Sequence, residues 1–553
     1  MEKHSNMTLK GRDPEKDNQR PLIAESDIEI LNEALQDIGK KCLLEKEIYT
    51  KPADFETAIS ASGYGKFNWI LYIISVTAGW SSIFETTTMS YVFPAAECDL
   101  DLSLTHKGWL NAITYAGMIS SAFIWGYLCD TLGRKKLLVV GYLLDGLFVI
   151  ISAFSQNFYV LITTKFLGGL IINGPFAALT SYLSEFHRAK HRARVQMVVG
   201  FIFSLGNLLL PILALFILPI QMDFQLGEWV LHSWNVYLLI CAIPPLISGF
   251  AFTFLPESPK FLMTVGRNEK ALRIFKRVYR INSGKPEETY PIKELIQERK
   301  NNDDISYVTA DRSKIQALKE GWKQILPLFF PPHLFKLIIV CSIQFSQMMG
   351  LNTLRLWLPQ IYQAINDYQY YSTSNNSTSL CDMLKVFQTH NEFNSTKPCE
   401  VNVQNTQVYT NSMIVAGVSI VGYIAAGGLI NIVGKKKLLN ILGLISGTVA
   451  ITMYYSTNVV TTIAMSSVFV ALGSIGMHVI LTVVVDLFPT TLRTMTVSFT
   501  MMFGRIGAGS GNLIFPYLLQ SGCAPPFLTI GTVMMGCAAL ACFVPNTDMK
   551  ALE

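Results

Sequence analysis

Residues 126–136 read Gly126-Tyr127-Leu128-Cys129-Asp130-Thr131-Leu132-Gly133-Arg134-Lys135-Lys136, and residues 427–437 read Gly427-Gly428-Leu429-Ile430-Asn431-Ile432-Val433-Gly434-Lys435-Lys436-Lys437. The two stretches lie 301 residues apart. At the same offset, Glu185 with Arg192 recurs as Asp486 with Arg493. Phe254-Leu255-Pro256-Glu257-Ser258 has a counterpart in Phe543-Val544-Pro545-Asn546-Thr547. Three matches in the same order point to an internal duplication. Each of the first two stretches ends an apolar run and opens a basic one, so the duplicated unit is built of membrane-crossing segments.

Composition agrees. Half of the 553 residues are hydrophobic and only 15% are charged, where soluble domains carry about 25% charge. A collagen, a disordered regulator, a secreted disulfide scaffold and a soluble enzyme are excluded. The net charge of +5 belongs to basic loops and does not point to nucleic acid.

A window of about 19 residues places twelve spans, at roughly 67–93, 107–129, 137–155, 158–181, 195–219 and 234–255, then 334–363, 409–433, 438–455, 459–484, 495–519 and 524–544. The expected architecture is an all-α membrane protein with two pseudo-symmetric six-helix bundles, 67–255 and 334–544. A segment 1–66 precedes them, a linker 256–333 joins them, and a tail 545–553 follows. The polar residues 1–66 do not read as a cleavable leader.

Basic residues set the orientation. Thirty-seven Lys and Arg fall on one side, whereas the other side holds Lys107, Lys385 and Lys397. The positive-inside rule then puts both termini in the cytoplasm and the loop 364–408 outside. That loop carries sequons at Asn375, Asn376 and Asn394, as an outer loop should. It also carries Cys381 and Cys399, which an oxidising exterior would let pair, closing a loop worth roughly 3 kcal/mol. Two free thiols are the alternative.

In the first repeat, Gly126 is expected to let its helix approach a neighbour closely. Asp130 caps a helix or meets a loop cation, Gly133 permits the turn, and Arg134 to Lys136 face anionic lipid. The motif reads as a latch between the half-bundles. Glu185, Arg192, Asp486 and Arg493 read as a charge network that breaks when the halves rock, with local helix capping as the alternative.

Gly126 to Lys136, Tyr182-x-x-Glu185 with Arg192-Ala193, and Pro256-Glu257-Ser258-Pro259 resemble signatures of the major facilitator superfamily. Phe55 to Trp69, Glu185-Phe186 and His232-Ser233-Trp234 are similar to the synaptic vesicle glycoprotein 2 branch of that superfamily. The resemblance covers roughly residues 55–545 and implies a major facilitator fold. There are departures. Ser82 stands where the branch usually has the first acid of Asp-x-x-Glu, leaving Glu85. Asn235 replaces a common Arg, and Asn431 replaces the acid of the second loop motif. The long luminal domain of the vesicle glycoproteins is absent from the loop 364–408. Organic ion transporters generally carry their glycosylated loop between spans one and two, where residues 94–106 are too few.

Ionisable residues within spans cost roughly 2.5–3.5 kcal/mol at mid-helix and so mark function by default. Glu85, among Ser81, Ser82, Thr86, Thr87 and Thr88, is the first candidate for substrate or proton binding. Arg505, in Gly504-Arg505-Ile506-Gly507-Ala508-Gly509, is its expected partner. Arg355 and Gln347 share a polar face of span seven with Gln344 and Asn352. Asp145 is as ready to pair with a neighbouring helix as to line a cavity, and Lys165 is placed at cavity or interface. His478 reads as a structural residue before a proton shuttle, and Trp80, Trp125 and Trp357 as anchors before ligand-stacking rings. Residues 28–42 have the spacing of a short amphipathic helix. The 259–333 segment reads as basic amphipathic helices under the bilayer, bridging the halves.

The expected function is secondary transport of a small organic solute (organic ion, zwitterion or sugar) by alternating access, with proton coupling through Glu85 as an option. A scaffold or receptor that keeps the transporter fold without transport is the alternative. No nucleotide loop, metal-ligand set or nucleophile cluster appears, so no cofactor, metal or enzymatic activity is expected. The partners expected are the solute and the bilayer, in a plasma or vesicle membrane.

Overall fold

The computed structural model describes residues 52–227, 229–296, 326–371, 379–384 and 406–545. Twelve long helices stand at the positions of the twelve expected spans. The first half holds α1 (Lys66–Ala96), α2 (Leu104–Leu132), α3 (Arg134–Ala153), α4 (Phe158–Glu185), α5 (Ala189–Ile217) and α6 (Ser233–Phe254). The second holds α7 (His333–Tyr371), α8 (Gln407–Val433), α9 (Lys435–Met453), α10 (Val459–Leu487), α11 (Thr490–Ser521) and α12 (Ala524–Cys542). A lipid-facing backbone has no water to bond, so each apolar run closes its hydrogen bonds inside a helix.

Ten of these helices are long and apolar enough to cross a membrane by themselves. The exceptions are α2 and α11, which pack against each other along the line between the halves. Protein covers part of each, so they keep polar residues such as Asn111, Thr114 and Arg505 where a lipid-facing helix would not. The second seam between the halves is α5 against α8.

The duplication is visible in the backbone. Gly133 and Gly434 precede α3 and α9 with φ of +93° and +83°, a conformation that favours glycine. Asn157 caps α4 and Asn458 caps α10, each accepting from the amide three residues on, at 2.9 and 2.8 Å. These asparagines are also 301 residues apart.

Below the first half sits a small cluster outside the bundle. Helices Phe55–Ala61, Pro259–Thr264 and Asn268–Ser283 bury Phe55, Ile59, Phe261 and Phe275 together. Asn268–Ser283 buries Ala271, Phe275 and Val278, at helical spacing, and leaves Lys270, Arg273, Arg277 and Arg280 exposed. This helix packs beside α1 and Phe55–Ala61 in the first half, and residues 297–325 of the 259–333 segment lie outside the described residues. Residues 28–42 lie outside the described residues.

The structure corrects the disulfide. Cys381 bonds Cys523, with Cα atoms 5.4 Å apart, and not Cys399, which lies outside the described residues. The reason is docking. Leu380, Met383 and Leu384 are buried, and the Leu380 amide donates to Ser456 O at 2.8 Å, which carries Cys381 to the turn before α12. Cys98, in the connection from α1 to α2, is disulfide-bonded as well.

Candidate functional site

Between the halves lies a cavity with about 550 Å³ of empty volume, part of it open to solvent. Its walls come from α1 (Thr87, Tyr91), α5 (Ser204, Asn207), α7 (Arg355), α8 (Ser412, Ser419) and α10 (Ser474). Arg355 sets its polarity. Nη1 donates to Asn207 Oδ1 at 3.2 Å, across the seam, and Nη2 to Asn352 Oδ1 at 2.9 Å. Arg355 Nε is buried with no hydrogen-bond partner. No Asp or Glu is among the lining residues.

A second site lies inside the first half. Glu85 of α1 pairs with Lys165 of α4 at 3.2 Å, both side chains 2% exposed. Gly168 of α4 makes room, since a Cβ there would collide with Glu85 Oε1. Asp145 of α3 lines the same small void, and neither of its carboxyl oxygens nor Glu85 Oε1 has a hydrogen-bond partner. Two carboxyl groups therefore line one water-poor pocket with a single lysine that pairs with Glu85, so a second negative charge there would have no counter-charge.

This overturns the expected Glu85–Arg505 pair. Arg505 instead reaches across the seam from α11 to Asn173 Oδ1 on α4. Helix rotation decides it: Lys165 shares the Glu85 face of α4, and Asn173, two turns on, meets α11. Gln347 is likewise moved out of the binding set. It is buried in the second half, donating to Gly473 O at 2.9 Å and accepting from Cys537 Sγ, because a Cβ on Gly476 would collide with it.

In this conformation the loop motifs make pairs within each half. Arg134 Nε lies 3.3 Å from Glu185 Oε1, and Lys435 pairs with Asp486, the same contact 301 residues later. The Lys135 amide donates to Glu257 Oε1 at 3.0 Å, which ties the turn to the Pro256-to-Pro259 segment. Arg192 pairs with Glu56, not with a partner in the second half, because the Phe55–Ala61 helix occupies the space beneath it. Arg493 has a buried Nε with no partner. A Cβ on Gly126 would meet nothing within 4 Å, so this glycine does not serve a close helix approach. The close approach is at Gly169, where a Cβ would stand 2.2 Å from Thr114 O. Asp130 lies at the end of α2.

Other expected candidates are structural. Trp125 Nε1 donates to Leu170 O, Trp357 stacks on Phe515 with centroids 4.9 Å apart, and His478 packs edge-on against Tyr423. The sequons at Asn375, Asn376 and Asn394 lie outside the described residues. Sequence reasoning missed Lys107. It is 1% exposed, pairs with Glu97 at 2.8 Å, and donates across the seam to Gln360 Oε1 at 2.9 Å. Its place four residues after the helix cap Ser103, not in the loop, was the available signal.

With the geometry in place, comparison with known proteins is informative. Residues 67–389, more than half of the chain, match the family described as Sugar (and other) transporter. The chain belongs to that family. Residues 389–552 match the Major Facilitator Superfamily. Among curated relatives, synaptic vesicle glycoprotein 2B of Rattus norvegicus is 29% identical over 331 residues, 58% of this chain and 48% of the relative. Synaptic vesicle glycoprotein 2A of Rattus norvegicus is 29% identical over 333 residues, covering 57% and 44%. The chain thus spans about half the length of the curated relatives it matches. Among solved structures, the inward open conformation of the xylose transporter XylE from E. coli gives a TM-score of 0.62 at 16% identity, covering 87% of this chain and 98% of that one. Its partially occluded inward open conformation gives 0.61 at 14%, covering 87% and 100%. The fold is the major facilitator fold, and the protein is a multi-pass membrane protein.

Proposed function

We propose that the protein is a secondary transporter that carries a small organic solute through the Arg355 cavity by rocking its two halves. The observation that carries this reading is the polar cavity itself, walled by both halves and set at the seam along which they would move. Lys107 and Gln360 join the halves toward the end where α1 turns into α2. At the opposite end Arg134–Glu185 and Lys435–Asp486 each stay within a half. This pattern describes a molecule closed at the Lys107 end, in keeping with the inward open title of its structural neighbour.

Proton coupling belongs to the Glu85–Lys165–Asp145 cluster in this reading. A proton taken up by Glu85 would release Lys165 to pair with Asp145 instead and change how α1 and α4 sit together. In this reading both termini lie in the cytoplasm. The disulfides at Cys98 and Cys381–Cys523 fall at the Lys107 end, which puts that end in an oxidising space. The membrane is the plasma membrane or that of a vesicle.

The test is reconstitution. Purified protein in liposomes is expected to take up a bound solute faster under an inward-directed proton gradient, and Glu85→Gln to lose the gradient dependence. Solute binding with no flux in any gradient would replace the transporter with a receptor or scaffold. For orientation, glycosidase treatment should shift the wild-type band, and Asn375→Gln/Asn376→Gln/Asn394→Gln should not shift. A shift retained by that triple variant would refute the outer placement of residues 364–408 as the glycosylated loop.

A further inference from the structure

We infer that the solute of the Arg355 cavity is a small organic anion that bears several hydroxyl groups; this rests on reading the cavity as the transport site. The charge follows from what surrounds Arg355. It is the one charged residue among those lining the cavity, and its two terminal nitrogens are bound to the neutral amides of Asn207 and Asn352. An amide oxygen satisfies a donor but does not cancel a charge. The acids of the first half cannot do so either, since Glu85 is engaged by Lys165 in a separate pocket with Asp145. A half-buried guanidinium without a counter-charge stands open to an anionic solute, which would use its planar donor fork.

The hydroxyls follow from how the wall serines spend their protons. Ser204 donates to Gly200 O at 3.1 Å, Ser412 to Val408 O at 2.9 Å, Ser419 to Val415 O at 2.9 Å and Ser474 to Val470 O at 2.7 Å. Ser204, Ser419 and Ser474 thus direct their protons back along their own helices and leave lone pairs for the cavity, whereas Ser412 also meets the Tyr91 hydroxyl. Those three acceptors, with the Thr87 and Tyr91 hydroxyls beside them, are matched by a solute that carries several hydroxyl groups. A plain fatty acid or a simple inorganic anion would leave those acceptors unpaired.

Four probes of nearly equal length separate charge from hydroxyls: gluconate, sorbitol, N-methylglucamine and hexanoate. Isothermal titration of the purified full chain in detergent is expected to show gluconate bound at least tenfold more tightly than sorbitol or hexanoate, and N-methylglucamine not bound. Arg355→Gln should bring gluconate down to the sorbitol level, whereas Arg355→Lys, which keeps the charge, should retain a preference for gluconate. Equal melting temperatures of the ligand-free variants would exclude loss of fold as the cause. Sorbitol equal to gluconate, a preference for N-methylglucamine, hexanoate equal to gluconate, or no binding of gluconate would each overturn the assignment. Gluconate binding without gluconate uptake in liposomes would leave the anion site standing and remove the transport reading.

Discussion

Arg355 of α7 donates to the amide oxygen of Asn207 on α5 at 3.2 Å, so the cation of the cavity is also a bond between the two halves. Arg505 makes the same kind of bond to Asn173. A guanidinium–amide bond contributes about 1.5–3 kcal/mol, less than a desolvated ion pair would resist breaking. The buried Glu85–Lys165 pair, by contrast, joins two helices of one half. Halves that must separate at the cavity are thus joined there by bonds that water or a solute can replace, and each half keeps strong pairs inside itself.

Replacing Asn207 by Asp should therefore tighten the seam. The new carboxylate would meet Arg355 at the same distance and give it a counter-charge. The expected outcome is apparent stability raised by about 1–3 kcal/mol with uptake reduced at least tenfold, read from melting curves and liposome flux. Unchanged flux would mean that Arg355 is not at the moving seam.

The acid cluster has its own signature. Lys165→Met alone leaves Glu85 and Asp145 without a cation and should cost about 3–5 kcal/mol. Glu85→Gln/Lys165→Met removes the pair together and should recover most of that loss. Thermal melting in one detergent at neutral pH checks both, and an equally unstable double variant would argue against the pair.

Helix spacing makes a contrast between two glycines. A methyl group at Gly169 would enter the backbone of α2 at Thr114 O, so Gly169→Ala should cost about 1–3 kcal/mol. Gly126→Ala meets open space and should be within about 0.5 kcal/mol of wild type. Melting temperatures of the two variants, in parallel, decide.

His187, between α4 and α5, gives a pH dependence. Its Nδ1 lies 2.7 Å from Leu183 O, which it donates to, and its Nε2 lies 3.3 Å from Asn68 Nδ2, from which it accepts. That geometry needs the neutral ring, and burial holds the imidazole below the usual histidine range. A folded-state value below the unfolded one gives stability that is full above the unfolded value, about 6.5, and that is lost as pH falls through the folded value. Melting temperature should drop on going from pH 7.5 to 5.5, and His187→Gln, which can keep one bond, should show a smaller drop. An equal drop in both would assign the acid sensitivity elsewhere.

The fold was legible because its signals are local. Apolar runs and basic turns mark each helix whatever its neighbours do, and Gly133 with Gly434 marks the duplication. Partners within the bundle were not legible, because they depend on how each helix is rotated. The polar residues of α1 from Ser81 to Thr88 run round the helix, so its sequence does not announce that Glu85 faces Lys165 and not Arg505. Gln347 and Arg355 lie eight residues apart on one helix, yet one fills the core of the second half and the other the cavity. Cys381 was paired by nearness along the chain, whereas docking of Leu380–Leu384 brings it to Cys523, 142 residues away. Hydropathy starts α2 later than its cap does, so Lys107 reads as a loop charge.

The most direct test of the account uses Tyr115 of α2 and Gly509 of α11, where a Cβ on Gly509 would lie 3.6 Å from Tyr115 Cβ across the seam. That spacing suits a disulfide. Proton-driven gluconate uptake is measured in liposomes with Tyr115→Cys/Gly509→Cys, before oxidation, after it, and after mild reduction, beside wild type. Alternating access through the Arg355 cavity predicts uptake that stops when the halves are cross-linked and returns when the bond is reduced. Uptake that continues with the cross-link formed, as verified by mass spectrometry, would contradict it.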